Sequence, residues 1–125
     1  MKGLCIIQPW PYAILHLGKP VENRNWKTNF RGRFLICASR GFDEIAYRYL
    51  TQTKGYQIPR ELPRGGIVGI ATLRDCVRAH ESEWFFGPYG FVLQGVKELP
   101  FVPIRGQLGF FDVPDYLVPE EARAA

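Results

Sequence analysis

The sequence predicts an α+β fold, a small mixed β-barrel of five or six strands with two main helices. Short runs rich in β-branched and aromatic residues alternate with turn residues along the chain, a pattern typical of strands. Glycines within and just before the longest run, residues 67–77, indicate bends where a sheet curls. One predicted helix separates the first two strands, which favours a mixed topology.

The first predicted strand, residues 3–8, leads directly into a helix. Pro9 and Pro11 suit the start of that helix, and Gly18 is placed to end it in the left-handed conformation. The first amides of such a helix have no partner within it and can face an anion.

The second strand is predicted at residues 31–39 and the second helix at 42–55, where apolar side chains recur on one face. A loop at 55–66, rich in proline and glycine, precedes the long strand at 67–77. An aromatic loop follows at 78–90, with further strands at 90–99 and 107–113. We expect a single domain over residues 1–125, with 114–125 as a peripheral tail.

Composition excludes several classes of protein. The 125 residues are 46% hydrophobic and 14% aromatic, which indicates a globular fold rather than disorder. No apolar run approaches the roughly 20 residues that span a bilayer, and the chain begins with a strand-like segment rather than a signal peptide. We expect a soluble, cytoplasmic protein without membrane association. A monomer is favoured, although an edge strand could pair with a second copy.

Three cysteines, Cys5, Cys37 and Cys76, each lie within an apolar run and lack the close spacing of zinc ligands. We expect buried free thiols, no metal and no cofactor. Neither a serine triad nor a phosphate-binding glycine loop is visible.

The charge is distributed unevenly. Residues 1–42 hold seven lysines and arginines against one acid, Glu22, for a net charge of +6, whereas the remaining 83 residues carry −2. Such a field can steer an anionic partner, and phosphate is the commonest candidate. A solvated basic face is the alternative interpretation.

A lysine, a glutamate, an arginine and a tryptophan lie within the ten residues LGKPVENRNW, 17–26. Alternation along an extended segment places Glu22, Arg24 and Trp26 on one face. Lys19 belongs to the opposite face of a regular strand, but the corner formed around it by glycine and proline lets it swing toward Glu22. We expect the three charged groups to converge at the mouth of the barrel.

This cluster suits nucleotide chemistry. Lysine and arginine can bind phosphate, and glutamate can accept from an exocyclic base amine. Trp10, Trp26 and Tyr89 can each offer a flat face to a base. The alternatives are structural: an ion pair between glutamate and arginine, tryptophans that cap the core, and a Gln8 amide that satisfies backbone rather than reading a base edge. Ser39 can equally be an ordinary strand residue.

The chain resembles the ASCH (activating signal cointegrator homology) domain family in five ordered segments, IIQPWPYAILHLGKPVENRNW, RGRFLICAS, GGIVGIATLRDCV, GPYGFVL and IRGQLGFFDV. The family signature is G-x-K-x-x-E-x-R. Gly18, Lys19, Glu22 and Arg24 supply those residues, although here glycine directly precedes lysine. The similarity extends to Val113.

This resemblance implies a PUA-like β-barrel in which the signature lines a cleft beside the first helix. It also implies RNA or DNA binding, in coactivator or translation-related settings. Small bacterial members resemble enzymes, either amidohydrolases of N4-acetylcytidine, whose signature lysine maps to Lys19, or ribonucleases. Those amidohydrolases carry threonine where this chain has Glu22, and the QPW and GPYGFVL segments resemble the coactivator-type branch instead.

Three hypotheses follow, of which the first is preferred: a module that binds RNA or single-stranded DNA in a basic cleft. Its predicted contacts are Gln8, Trp10, Lys19, Glu22, Arg24, Trp26, Lys27, Arg31, Arg33, Ser39, Arg40 and Tyr89. The second is a small hydrolase of a modified nucleoside or RNA that uses Lys19 and Glu22. The third is a protein-interaction adaptor with an exposed WFFGPYG patch.

Overall fold

The computed structural model describes residues 1–123 and confirms the predicted α+β class, with six strands and two main helices. The order of elements is β1 Lys2–Gln8, α1 Trp10–His16, β2 Val21–Arg24, β3 Gly32–Phe42, α2 Glu44–Arg48, β4 Gly66–Val77, β5 Tyr89–Pro103 and β6 Phe110–Asp112. A π-helical turn, Tyr49–Thr53, continues α2. A 3₁₀ turn, Asp115–Leu117, and a short α3, Glu120–Arg123, follow β6.

The strands form one mixed sheet in the order β2-β5-β4-β3-β1-β6. β1 runs parallel to β3, and the other neighbouring pairs are antiparallel. Three register shifts interrupt the pairing of β4 with β5, which is where a sheet gains twist and bends. Within the described residues the sheet curls without closing, because β2 and β6 remain its edges.

Each face of the sheet is covered by its own apolar cluster. The inner cluster includes Leu4, Phe34 and Phe91, all fully buried. The outer cluster includes Leu35 and Ile67 and is completed by residues that follow β6. Alternation along β1 and β3 thus divides their side chains between two cores.

The two edges of the sheet approach each other on the inner face through aromatic rings. Trp26, just after β2, packs edge-on against Phe110 of β6, with ring centroids 6.0 Å apart. Phe91 of β5 contacts both rings, at 5.2 Å and 6.1 Å. These contacts hold the two edges of the curled sheet close together, although no ladder of hydrogen bonds joins β2 to β6.

Two expectations need correction. Residues 114–125 are not only a peripheral tail, because Val118 and Ala122 are buried in the outer cluster, whose apolar face would otherwise meet water. Residues 124–125 of that predicted tail lie outside the described part of the chain. Of the three free cysteines only Cys37 is buried, while Cys5 and Cys76 are half-buried. Within residues 1–123, no helix has the length and apolar character needed to cross a bilayer.

Candidate nucleic-acid interface

Lys19, Glu22 and Arg24 form one hydrogen-bonded network, as the sequence predicts. Lys19 Nζ donates to Glu22 Oε1 at 3.1 Å, and Arg24 Nη1 donates to Glu22 Oε2 at 3.3 Å. The lysine and glutamate side chains are only 1% and 6% exposed, whereas that of Arg24 is 21% exposed. Arg24 is therefore the member of the network that solvent reaches most easily.

Local chain geometry brings these groups together. The helix ends before Gly18, whose φ of 73° is left-handed, and the Lys19 amide then donates back to Ala13 O at 3.2 Å. This turn carries the lysine amine to the side of β2 from which Glu22 projects. Arg24 reaches further, because its Nη2 donates to Cys5 O in β1 at 3.1 Å. The network thus joins the edge strand β2 to β1 across the curl.

The network carries two cations for one carboxylate, so its net charge is +1. Arg24 Nε is buried and has no hydrogen-bond partner among residues 1–123. An unpartnered buried donor is costly, and a charged one more so. An anion or a strong acceptor beside the exposed part of Arg24 would offset the charge.

Tryptophan rings flank the network on two sides. Lys19 Nζ lies 5.1 Å from the centroid of the Trp10 ring, and the Arg24 guanidinium lies 5.7 Å from that of Trp26. Both distances are within the range of cation–π attraction. Both rings are half-buried and pack against the inner cluster, so each also has a structural role.

Gln8 does not present its amide to solvent, because its side chain is used inside the fold. Nε2 donates to Pro63 O at 2.9 Å, and Oε1 accepts from the Tyr12 amide at 3.2 Å. The residue is 2% exposed. Gln8 therefore ties the loop before β4 to the start of α1, and its oxygen takes up an amide of α1 that we expected to face an anion.

The predicted basic residues do not form one continuous surface. Arg33 lies at the start of β3, Arg31 directly precedes that strand, and Lys27 is exposed in the segment before it. Arg40 lies near the other end of β3, seven residues from Arg33, or roughly 23 Å along an extended strand. With its neighbour Ser39 it lines a separate cavity on the outer face.

Two details distinguish the arginines around the start of β3. Arg31 Nη2 lies 3.5 Å from Asp75 Oδ1. Arg33 has two buried guanidinium nitrogens, Nε and Nη2, without a partner in the described chain.

Tyr89 lies opposite Arg24 in the β2–β5 ladder, and its ring is 5.6 Å from the Arg78 guanidinium.

Asn23 is a residue that the sequence interpretation overlooked. Its side chain donates to Trp84 O at 2.9 Å and accepts from the amides of Phe86 and Gly87 at 2.8 and 3.0 Å. An asparagine between two charged signature residues is the signal that could have identified it, since asparagine commonly binds backbone in loops. It anchors the aromatic loop to β2.

The anchored loop exposes one of its three consecutive aromatic residues. Trp84 is buried and Phe85 half-buried, but Phe86 is 60% exposed. Phe86 lines a groove of about 370 Å³ together with Trp10, Ile45 and Tyr49. Trp10 thus borders both this groove and the charged network. The adaptor interpretation remains a prediction, because the loop is not buried as a whole.

Comparison with known proteins agrees with this architecture. The family model described as ASCH domain matches residues 4–119. Human Activating signal cointegrator 1 is 28% identical over 119 residues, which cover 82% of this chain and 20% of that protein. Mouse Activating signal cointegrator 1 is 32% identical over 84 residues, covering 60% of this chain and 14% of that protein. The chain spans a fifth or less of the length of these curated relatives. It belongs to the ASCH domain family and is similar to the coactivator-type members.

Proposed function

We propose that this chain is a nucleic-acid-binding module that accepts one exposed base or nucleotide of RNA or single-stranded DNA beside Arg24. Membership of the ASCH family is consistent with RNA binding. The carrying observation is the charged network, with its net charge of +1 and an Arg24 side chain that is 21% exposed. A phosphate oxygen or a base carbonyl can accept a hydrogen bond from this guanidinium.

Aromatic surface next to the network supports binding of a base rather than of a simple anion. Trp10 and Trp26 flank the two cations, and the groove beyond Trp10 continues to Tyr49 and Phe86. Stacking of a base on an aromatic ring contributes about 1–3 kcal/mol and tolerates any sequence. A single strand, whose bases are free to splay out, fits this arrangement better than a duplex.

We assign the contacts with the sugar–phosphate backbone to Lys27, Arg31 and Arg33. Lys27 and Arg31 support this assignment most directly, because both are exposed, and the half-buried Arg33 lies beside them. Arg40 and Ser39 lie apart from this group and are not included. Gln8 is also omitted, because its amide is already bonded on both sides.

The hydrolase alternative is not favoured by this geometry. Lys19 Nζ is held by Glu22, and neither side chain is more than 6% exposed. A base or nucleophile must reach the reacting atom of its substrate. In the observed arrangement, the two groups stabilise each other rather than face a substrate.

Fluorescence anisotropy with labelled single-stranded RNA, single-stranded DNA and duplex oligonucleotides tests the proposal. We expect affinity for single strands to fall several-fold between about 50 mM and about 200 mM salt, as counterion release requires. The double variant Arg31→Ala/Arg33→Ala should weaken binding and flatten this salt dependence. Arg24→Gln should weaken binding while leaving a neutral Lys19–Glu22 pair in the fold.

Lys97→Ala is the matched control, since it removes one exposed positive charge from β5, outside the proposed surface. It should leave affinity nearly unchanged. Absence of detectable binding to every oligonucleotide at low salt would end the proposal. Equal affinities for the arginine variants and the Lys97 control would do the same.

A further inference from the structure

Cys5 and Cys37 lie side by side on the outer face of the sheet. They are direct register partners in the parallel β1–β3 ladder, and both are free thiols. Neighbouring strands lie about 4.8 Å apart, which is within the Cα separation that a disulfide spans. Both side chains project into the outer cluster, and the Cys37 thiol donates to Leu35 O at 3.9 Å. The pair therefore has the placement of two thiols that can become one disulfide.

A cavity of about 570 Å³ gives access to this pair. Ser39, Arg40 and Arg105 line it together with both cysteines. Residues 104–108, of which 105–108 are exposed, form one wall that passes next to Cys5 at Gly106. A Cβ at position 106 would lie 2.3 Å from Cys5 Sγ, so only glycine leaves the thiol room at this point.

The surroundings favour a thiolate on Cys5. The neighbouring Cys37 thiol contributes most to lowering the pKa of Cys5 to about 7, against the opposing effect of burial, and the Gln107 amide and the charge of Arg24 add to it. The neighbouring Cys5 and burial raise the pKa of Cys37, which therefore keeps its proton while Cys5 is a thiolate. The thiolate is the nucleophilic form of cysteine.

The positive charge at the cavity wall favours anionic ligands. Neither Arg40 nor Arg105 forms a salt bridge with any acidic side chain of residues 1–123. Two uncompensated guanidinium groups beside a thiol attract small molecules that carry carboxylates. They disfavour cationic ones.

We propose that Cys5 and Cys37 form a thiol–disulfide exchange site for small anionic disulfides, with Cys5 as the attacking and Cys37 as the resolving residue. The Cys5 thiolate attacks one sulfur of the small disulfide, whose S–S bond breaks, and one small thiolate leaves as a mixed disulfide forms on Cys5. With Cys5 now in the mixed disulfide, the first small thiolate takes the Cys37 proton, and the Cys37 thiolate attacks Cys5 Sγ. The Cys5–Cys37 disulfide forms as the second small thiolate leaves. The protein dithiol is oxidised by two electrons, and the small disulfide is reduced to two thiols.

Oxidised glutathione, which is anionic, and cystamine, which is cationic, are the probes. The full chain is incubated with each, remaining thiols are trapped with a maleimide, and the products are identified by mass spectrometry. We expect wild-type protein to form the Cys5–Cys37 disulfide, and Cys37→Ser to stop at one glutathione adduct on Cys5. Oxidised glutathione should react about tenfold faster than cystamine, because the arginines steer it. Arg40→Ala/Arg105→Ala should abolish that preference.

Cys76→Ser is the matched control and should behave as wild type, since Cys76 lies in β4, away from this cavity. Gly106→Ala tests the site without removing a thiol, because its methyl group would crowd Cys5 Sγ and slow the exchange. The proposal is overturned if Cys37→Ser carries no adduct on Cys5, if both probes react equally fast, or if Gly106→Ala reacts like wild type.

Discussion

Lys19 Nζ lies 3.1 Å from Glu22 Oε1, and both side chains are almost completely enclosed. Three positions separate the two residues, so a regular strand would direct them to opposite faces. The left-handed Gly18 and the extended residue before Pro20 remove that obstacle. The pair therefore depends on the end of α1 as much as on β2, and it fixes the connection between these two elements.

Glu22→Gln should destabilise the protein by about 3–5 kcal/mol, because it leaves the buried Lys19 cation without its carboxylate. Urea unfolding followed by circular dichroism measures the change. The double variant Lys19→Met/Glu22→Leu is the control, since an apolar replacement of a buried pair is often nearly neutral. It should be more stable than Glu22→Gln alone. A double variant that is no more stable than Glu22→Gln would contradict this account.

The sequence predicts most of the secondary structure and the convergence at residues 19–24, because these depend on local rules. Turn residues bound the strands, and Gly18 ends α1 where its conformational freedom is needed. The turn of Lys19 toward Glu22 also follows from its glycine and proline neighbours. The predicted second helix, in contrast, becomes a π-helical turn after Arg48, which propensities do not distinguish from an α-helix.

Features that depend on tertiary partners could not be predicted. The burial of Val118 follows from the apolar outer face that β1 and β3 present, and no local pattern reveals that face. From the sequence, the Gln8 amide can bind either a base edge or a backbone group. Only the position of Pro63 O, to which Gln8 Nε2 donates, distinguishes the two. The Cys5–Cys37 pair requires the register of a parallel ladder, which joins residues 32 positions apart through a crossover.

Gly18→Ala should lower the free energy of unfolding by about 1–2 kcal/mol, the cost of a left-handed conformation for a residue with Cβ. No steric contact contributes, since nothing lies within 4 Å of a Cβ built at this position. Gly18→Asn should cost less, because asparagine tolerates the left-handed region. Thermal unfolding of both variants provides the measurement, and equal losses for alanine and asparagine would show that the strain is not conformational.

Asn23→Ala should release the aromatic loop, because it removes one donor and one acceptor that together bind three backbone groups of residues 84–87. The expected cost is about 1–3 kcal/mol for the unsatisfied groups. Hydrogen exchange should show faster exchange at the amides of Phe86 and Gly87. Asn25→Ala, at an exposed position in the same segment, is the control and should leave these amides protected. Unchanged exchange in Asn23→Ala would contradict the anchoring role.

Phe86→Ser distinguishes the two uses of the exposed groove. If bases stack there, the variant should weaken binding of single-stranded oligonucleotides by about 1–3 kcal/mol, the contribution of one stacked ring. Folding should be preserved, since the side chain is 60% exposed. Phe101→Ser, which removes another exposed phenylalanine from β5, is the control. Affinity equal to wild type in Phe86→Ser would separate the groove from the nucleic-acid surface and favour the protein-interaction interpretation.

The rate of Cys5 alkylation by iodoacetamide should rise with pH to a midpoint of about 7, where half of this thiol is ionised. The sign follows from the stabilised thiolate: a lowered pKa moves the reactive form to lower pH. In Cys37→Ala the thiol that contributes most to the lowered pKa is absent, so the midpoint should move up toward the ordinary value of 9.0. Peptide mass spectrometry after timed quenching follows Cys5 alone. A midpoint that Cys37→Ala leaves in place would show that the neighbouring thiol does not control Cys5.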